Sequence, residues 1–251
     1  MAVERRNPLA GRPLRGVPAL PATPKPPMSR PLTRTARPFV PGPPVVPLVL
    51  WPALLTLGVT LLRLVGELRG WSPQYFSRLP GGGLSPLGIT WLAPLVGLYF
   101  GWRLGRAGVR SPSLARVALW PAAALAVGLG LGYGLERLLK TSWTVNFALW
   151  AAVSIAVAVA AYAAWPALGR LLVAYAYAAR IPVAIVAALA VWKTWGTHYD
   201  VPPPGFPAMP LLERWLWTGL LPQMTMWVAW TVAAGLAFGA LGHWSASRLR
   251  R

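Results

Sequence analysis

Cysteine is absent from the 251 residues, which excludes disulfides, thiolate-held iron-sulfur clusters and thiol nucleophiles. Acids are almost as scarce: Glu4, Glu67, Glu136, Asp200 and Glu213 are all there is. Five dispersed carboxylates supply neither a metal cluster nor a pair of general acid and base groups. Only two histidines are present, His198 and His243. The motifs HExxH, GxxxxGK[ST] and GxSxG do not occur, and the GLGLG at Gly128 to Gly132 lies in an apolar run with no strand before it. No catalytic residue and no metal site is therefore assigned, and the sequence points away from an enzyme.

What is abundant is apolar and positive. Hydrophobic residues make up 56% of the chain and charged residues 12%, a balance outside the range of soluble domains. The 24 bases give a net charge of +19, which in a soluble protein would suggest nucleic acid. Here the bases separate apolar runs instead of sharing a face with stacking aromatics, so nucleic acid is not the expected partner. The expected surroundings are a lipid bilayer, with anionic lipid at the cytoplasmic face.

A membrane-crossing helix needs about 20 mostly apolar residues. Six runs qualify in the sequence: 45–65, 84–102, 114–135, 143–168, 171–192 and 217–241. The expected fold is accordingly all-α, a six-span transmembrane bundle over 45–244. A basic, proline-rich arm of 1–44 precedes it and a basic tail of 245–251 follows. The arm carries eight bases and one acid with no apolar period, and it is expected to be extended with polyproline II character.

Orientation follows from the bases, because short cytoplasmic segments collect Lys and Arg. With the N terminus inside, the arm, the block Arg103, Arg106, Arg110 and Arg116, then Arg170 and the C-terminal tail put sixteen bases on the cytoplasmic side. Seven fall outside, together with four of the five acids. Both termini are expected to be cytoplasmic, in a bacterial inner membrane.

Glycines recur at four-residue spacing: Gly97, Gly101 and Gly105; Gly128 and Gly132; Gly130 and Gly134; Gly235 and Gly239. In water each would weaken a helix by about 1 kcal/mol relative to alanine. In lipid, small residues on one face let two backbones approach where no hydrophobic force would otherwise join them. Spans two, three and six are therefore expected to carry packing seams, against one another or against partner chains.

Arg180 is the most informative single residue. It lies ten positions after Arg170, so about 15 Å into the fifth span at 1.5 Å per residue. Facing lipid there would cost between about 2.5 and more than 10 kcal/mol. Tyr175, Tyr177 and Asn146 are candidate neighbours, and an anionic ligand, a lipid phosphate or an acid of another subunit is the candidate partner. Arg63 with Glu67, and Glu136 with Lys140, read as span-end pairs of little energetic weight. His243, beside Gly239 and Gly242, is the one candidate for a single axial ligand to a pigment or haem; no other cofactor is indicated. Two outer segments look shaped. They are 70–83, with Trp71, Tyr75, Phe76 and three terminal glycines, and 198–210, with five prolines and a following LLERWLW that reads as a short interfacial helix. Either a lid or an interfacial collar fits them.

Two functions of different kinds follow. The first, which the sequence favours, is a non-catalytic subunit that scaffolds a larger membrane assembly, including a bioenergetic or pigment-containing one, its arm and glycine seams meeting other membrane subunits. The second is a transporter or permease for a small anionic or neutral solute, with Arg180, which would face an anionic ligand, and Asn146, Gln223 and Thr225 lining the path.

Overall fold

The computed structural model describes residues 43–80, 85–139 and 142–249, with Gly132 and several side chains between 114 and 143 also outside the description. The expectations for residues 1–42, for Gly132, for the glycines of 81–83 and for the pair Glu136–Lys140 fall on residues outside it. The described chain is helical without a strand: α1 (Val45–Leu68), α2 (Leu92–Arg106), α3 (Leu114–Leu139), α4 (Trp143–Ala164), α5 (Pro166–Lys193), α6 (Leu211–Trp215), α7 (Leu221–Met224) and α8 (Met226–Arg248). Four helical stretches are long and apolar enough to cross a membrane: α1, α4, α5 and the near-continuous run Leu211–Arg248. Trp51, Leu55, Val159, Ile185 and Leu241 are among many large apolar side chains left exposed, a surface that lipid and not water would cover.

The second apolar run, 84–102, is not helical throughout. Helix α2 starts at Leu92, after a 3₁₀ turn at Ile89–Trp91, and has only 15 residues. Pro86 and Gly88 explain the late start: Ser85 to Gly88 closes as a turn, with the Gly88 N–H donating to the Ser85 carbonyl at 2.9 Å. The end of α4 also moves, from 168 to Ala164, because Trp165 adopts φ −147° and ψ 85° and Pro166 opens α5.

The glycine spacing has a concrete partner. A Cβ added at Gly97 would fall on the backbone of Gly235, and one at Gly101 on the carbonyl of Gly239; one at Gly105 would meet Ala246 and the His243 carbonyl. Both chain numbers rise together along this contact, so α2 and α8 run parallel, backbone against backbone, over three turns. On the far side of α8, Leu172 and Leu168 of α5 cover Gly235 and Gly239. The seam of α3 is weaker: Gly128 packs on Val153 of α4, whereas Gly130 and Gly134 have nothing within 4 Å of their Cβ positions.

Helix α5 supplies the core, with Leu168, Leu171, Leu172 and Ala176 almost wholly buried among Phe100, Leu104, Val232 and Leu236. It runs parallel to α1: the Thr56 and Tyr175 hydroxyls meet at 2.8 Å low on the pair, and higher up Leu64 packs in one cluster with Val183 and Val186. The pair α3 and α4 is antiparallel, with Tyr133 edge-on to Trp150 at 5.2 Å and Gly128 on Val153.

Candidate functional site

Three local features shape the site. First, α5 ends where Thr194 and Gly196 take positive φ, 50° and 65°. Second, Asp200 folds the chain just after it. Its carboxylate accepts from the Gly196 N–H at 2.9 Å, the Thr197 N–H at 2.7 Å and the Thr197 hydroxyl at 2.8 Å, which fixes the direction of His198 and Tyr199. Third, the helix widens to a π turn at Leu216–Leu220, with Gly219 buried against Trp215 and Ala187, and turns again at Pro222 and Thr225 before α8 begins.

Between these features lies a cavity of about 340 Å³. It extends from Arg180 at mid-bundle to the 198–206 segment. Thr60 and Arg63 of α1, Val183 and Ala187 of α5, Phe147 of α4, and Gln223 and Trp227 near the start of α8 form its sides. His198, Tyr199, Val201, Pro203 and Phe206 close it from one end, so the proline-stiffened segment caps the cavity. The short helix that follows is α6, whose Trp215 indole donates to the Ala184 carbonyl at 2.9 Å.

The cap is tied down at Glu67. This carboxylate is fully buried, accepting from the Arg63 Nε–H at 2.8 Å, the His198 backbone N–H at 2.9 Å and the His198 Nδ1–H at 2.5 Å. Its backbone carbonyl accepts from Arg78, and Arg63 also donates to the Ser77 carbonyl at 3.1 Å, so the segment after α1 and the 198–206 segment meet here. The Tyr199 hydroxyl donates to the Thr60 carbonyl at 3.2 Å. The expectation of a weak span-end pair at Arg63 and Glu67 is thus corrected. Both side chains are buried, and the partner that buries them comes from 131 residues further along.

Burial pushes the His198 imidazole below its usual pKa; Arg63 adds to that, while the hydrogen bond to Glu67 and the charges of Glu67 and Asp200 act against it. Burial likewise pushes the Tyr199 hydroxyl well above its usual range. His198 then stays neutral in the folded protein at a pH where it would already take a proton in the unfolded chain. The unfolded state binds more protons below pH about 6.5, so stability is expected to fall as pH falls through that value and to be flat above it. Melts at pH 5.5 and 7.5 check this: His198→Asn should reduce the difference between the two, and an unchanged difference would assign the slope to other groups.

Arg180 sits halfway along α5, 3% exposed, with its Cζ 5.0 Å from the Trp227 ring centroid. Its Nη1 donates to Gln223 Oε1 at a long 3.4 Å, and its Nε has no hydrogen-bond partner. No acid among the described residues pairs with it: the salt bridges there join Glu67 to Arg63 and to His198. Among the residues expected around Arg180, Tyr175 is buried five residues earlier on α5, but its hydroxyl is engaged by Thr56. Tyr177, two residues on, is 40% exposed on another face of α5. Asn146 is half-buried near the start of α4, one residue before Phe147 of the cavity wall. Gln223 lines the cavity, whereas the Thr225 hydroxyl donates back to the Leu221 carbonyl at 2.7 Å.

His243 lies elsewhere, at the far end of α8. Its Nε2–H donates to the Val109 carbonyl at 2.7 Å, and its ring stands edge-on to Trp165 at 5.3 Å. The space beside Gly239 and Gly242, where a pigment ring would fit, is filled by Leu168 and by the α2 backbone at Leu98. The residues there do not fit a pigment or haem without displacing α2.

No protein-family model, no curated protein and no solved structure matches this chain. The sequence missed the joint between Glu67 and His198. The signal that could have found it is the coincidence of a scarce acid in the last turn of α1 and a scarce histidine just after α5, two helices that run parallel.

Proposed function

We propose that the protein is a small-solute membrane transporter whose ligand is anionic and is received by Arg180 in the cavity between α1, α5, α8 and the 198–206 cap. One observation carries this reading: a guanidinium buried in mid-bundle, facing a cavity, without an acid among the described residues and with donors unused. An isolated buried charge costs several kcal/mol, and a site keeps one where a counter-charge arrives from outside the chain. The scaffold reading loses one of its supports, since the glycines of α2 and α8 are consumed against each other and are not left for another chain.

In this proposal the bundle crosses a bacterial inner membrane six times, with both termini cytoplasmic. Two things support that count. Helices α1 and α5 run parallel, as do α2 and α8, while α3 and α4 run antiparallel, which is the alternation six crossings require. Arg103 and Arg106 in the last turn of α2 and Arg248 in the last turn of α8 lie at one end, each stacked on Tyr99, Trp102 or Trp244. The 15 residues of α2, extended by its 3₁₀ turn, would cross obliquely packed on α8 and not as an independent span.

Purified protein reconstituted into liposomes and challenged with a panel of organic and inorganic anions tests the proposal. Uptake of at least one anion above empty liposomes, lost on Arg180→Gln, is the expected result. Uptake that survives Arg180→Gln, or no uptake of any anion, would return the scaffold reading to first place.

A further inference from the structure

Resting on that reading, we infer that the ligand is a singly charged organic anion with an aromatic or branched apolar body, an arylalkyl monocarboxylate in kind, and not a dianion or a small inorganic ion. The inference comes from the charge and lining of the cavity together. Three groups that can carry positive charge border it: Arg63, Arg180 and His198. Arg63 is already matched by Glu67 at 2.8 Å, and Glu67 is fully buried beside it, so this pair contributes no net charge. His198 spends its Nδ1–H on the same carboxylate, and burial holds it toward the neutral form. Arg180 alone is left, and the cavity presents one net positive charge.

A dianion bound there would keep one charge unmatched in a low-dielectric enclosure, whereas a monoanion would be neutralised. The guanidinium offers five N–H donors in a planar fork, suited to two oxygens of a carboxylate; the unpartnered Nε belongs to that fork. Inorganic ions are disfavoured by the remaining walls. Phe147, Phe206, Trp217, Trp227, Val183 and Met226 surround a volume of about 340 Å³, within the range of sites for small organic ligands. Chloride or nitrate would fill little of it. A ligand with a carboxylate at Arg180 and a flat apolar body against the aromatic walls satisfies both halves.

Thermal melting and titration calorimetry of the purified full chain in detergent provide the test. The probes are phenylacetate, its neutral isostere phenylacetamide, succinate, phosphate and chloride. Phenylacetate is expected to raise the melting temperature and to bind at least tenfold more tightly than the amide or succinate. Arg180→Gln should remove that difference, and Trp227→Leu should weaken phenylacetate while leaving the charge preference in place. Equal binding of the amide would overturn the inference. Tighter, Arg180-dependent binding of succinate, phosphate or chloride would also overturn it while leaving the anion-carrier reading intact. Silence of the whole panel on a wild-type protein that melts cooperatively would overturn both.

Discussion

Glu67→Ala is expected to lower the melting temperature of the detergent-purified protein by about 10 °C. The substitution removes the shared acceptor of Arg63 and of two His198 groups at once. Losing one partner of a buried pair typically costs about 3–5 kcal/mol, because the remaining charge stays in an apolar place. For a chain of this size about 2–4 °C of melting temperature accompany each kcal/mol. Glu67→Gln keeps the shape and part of the hydrogen bonding, so it should fall between wild type and alanine. Replacing both partners with apolar groups, Arg63→Met with Glu67→Leu, should recover part of the loss, since no stranded cation is left behind. A melting temperature for Glu67→Ala within 2 °C of wild type would mean that water reaches Arg63 freely and that the cap is not held here.

Gly101→Leu is expected to be the most damaging change in the apolar part of the bundle. The carbonyl of Gly239 occupies the place its Cβ would take, and backbone does not rotate away as a side chain can. Overpacking of a core commonly costs about 1–3 kcal/mol. Here the two helices would have to separate along the whole seam, so the loss should exceed about 3 kcal/mol and appear as aggregation on size-exclusion chromatography. Gly130→Ala is the comparison: nothing lies within 4 Å of its Cβ position, so the exchange should be neutral or gain up to about 1 kcal/mol from helix propensity. Equal behaviour of the two variants would show that α2 and α8 do not meet as described.

The all-helical character was legible in the sequence because apolar content and run length speak directly to it, and Arg180 stood out because ten residues of rise put it at mid-depth. The four-residue glycine spacing told which faces are narrow but not which helix fills them. The answer lies in a constant offset: Gly97, Gly101 and Gly105 stand 138 residues before Gly235, Gly239 and His243, so the two stripes stay level in a parallel pair. The late start of α2 was not legible from hydropathy, since Leu84 to Trp91 is apolar enough to extend a span and only its proline and glycine bend it away. Glu67 was misread for a related reason. Polar groups four apart at the end of an apolar run usually face water, and nothing local in the chain reports that a turn built by Asp200 will lay a histidine across them.

The seam between α2 and α8 has a mechanical corollary. Two backbones touching over three turns carry no compliant side chains between them, so they can neither slide nor part by small steps and must travel as one beam. If the proposed ligand reaches Arg180, the opening that admits it falls to the elements around that beam. The widened turn at Leu216–Leu220, with its glycine and the proline after it, breaks the regular α-helical pattern beside the cavity.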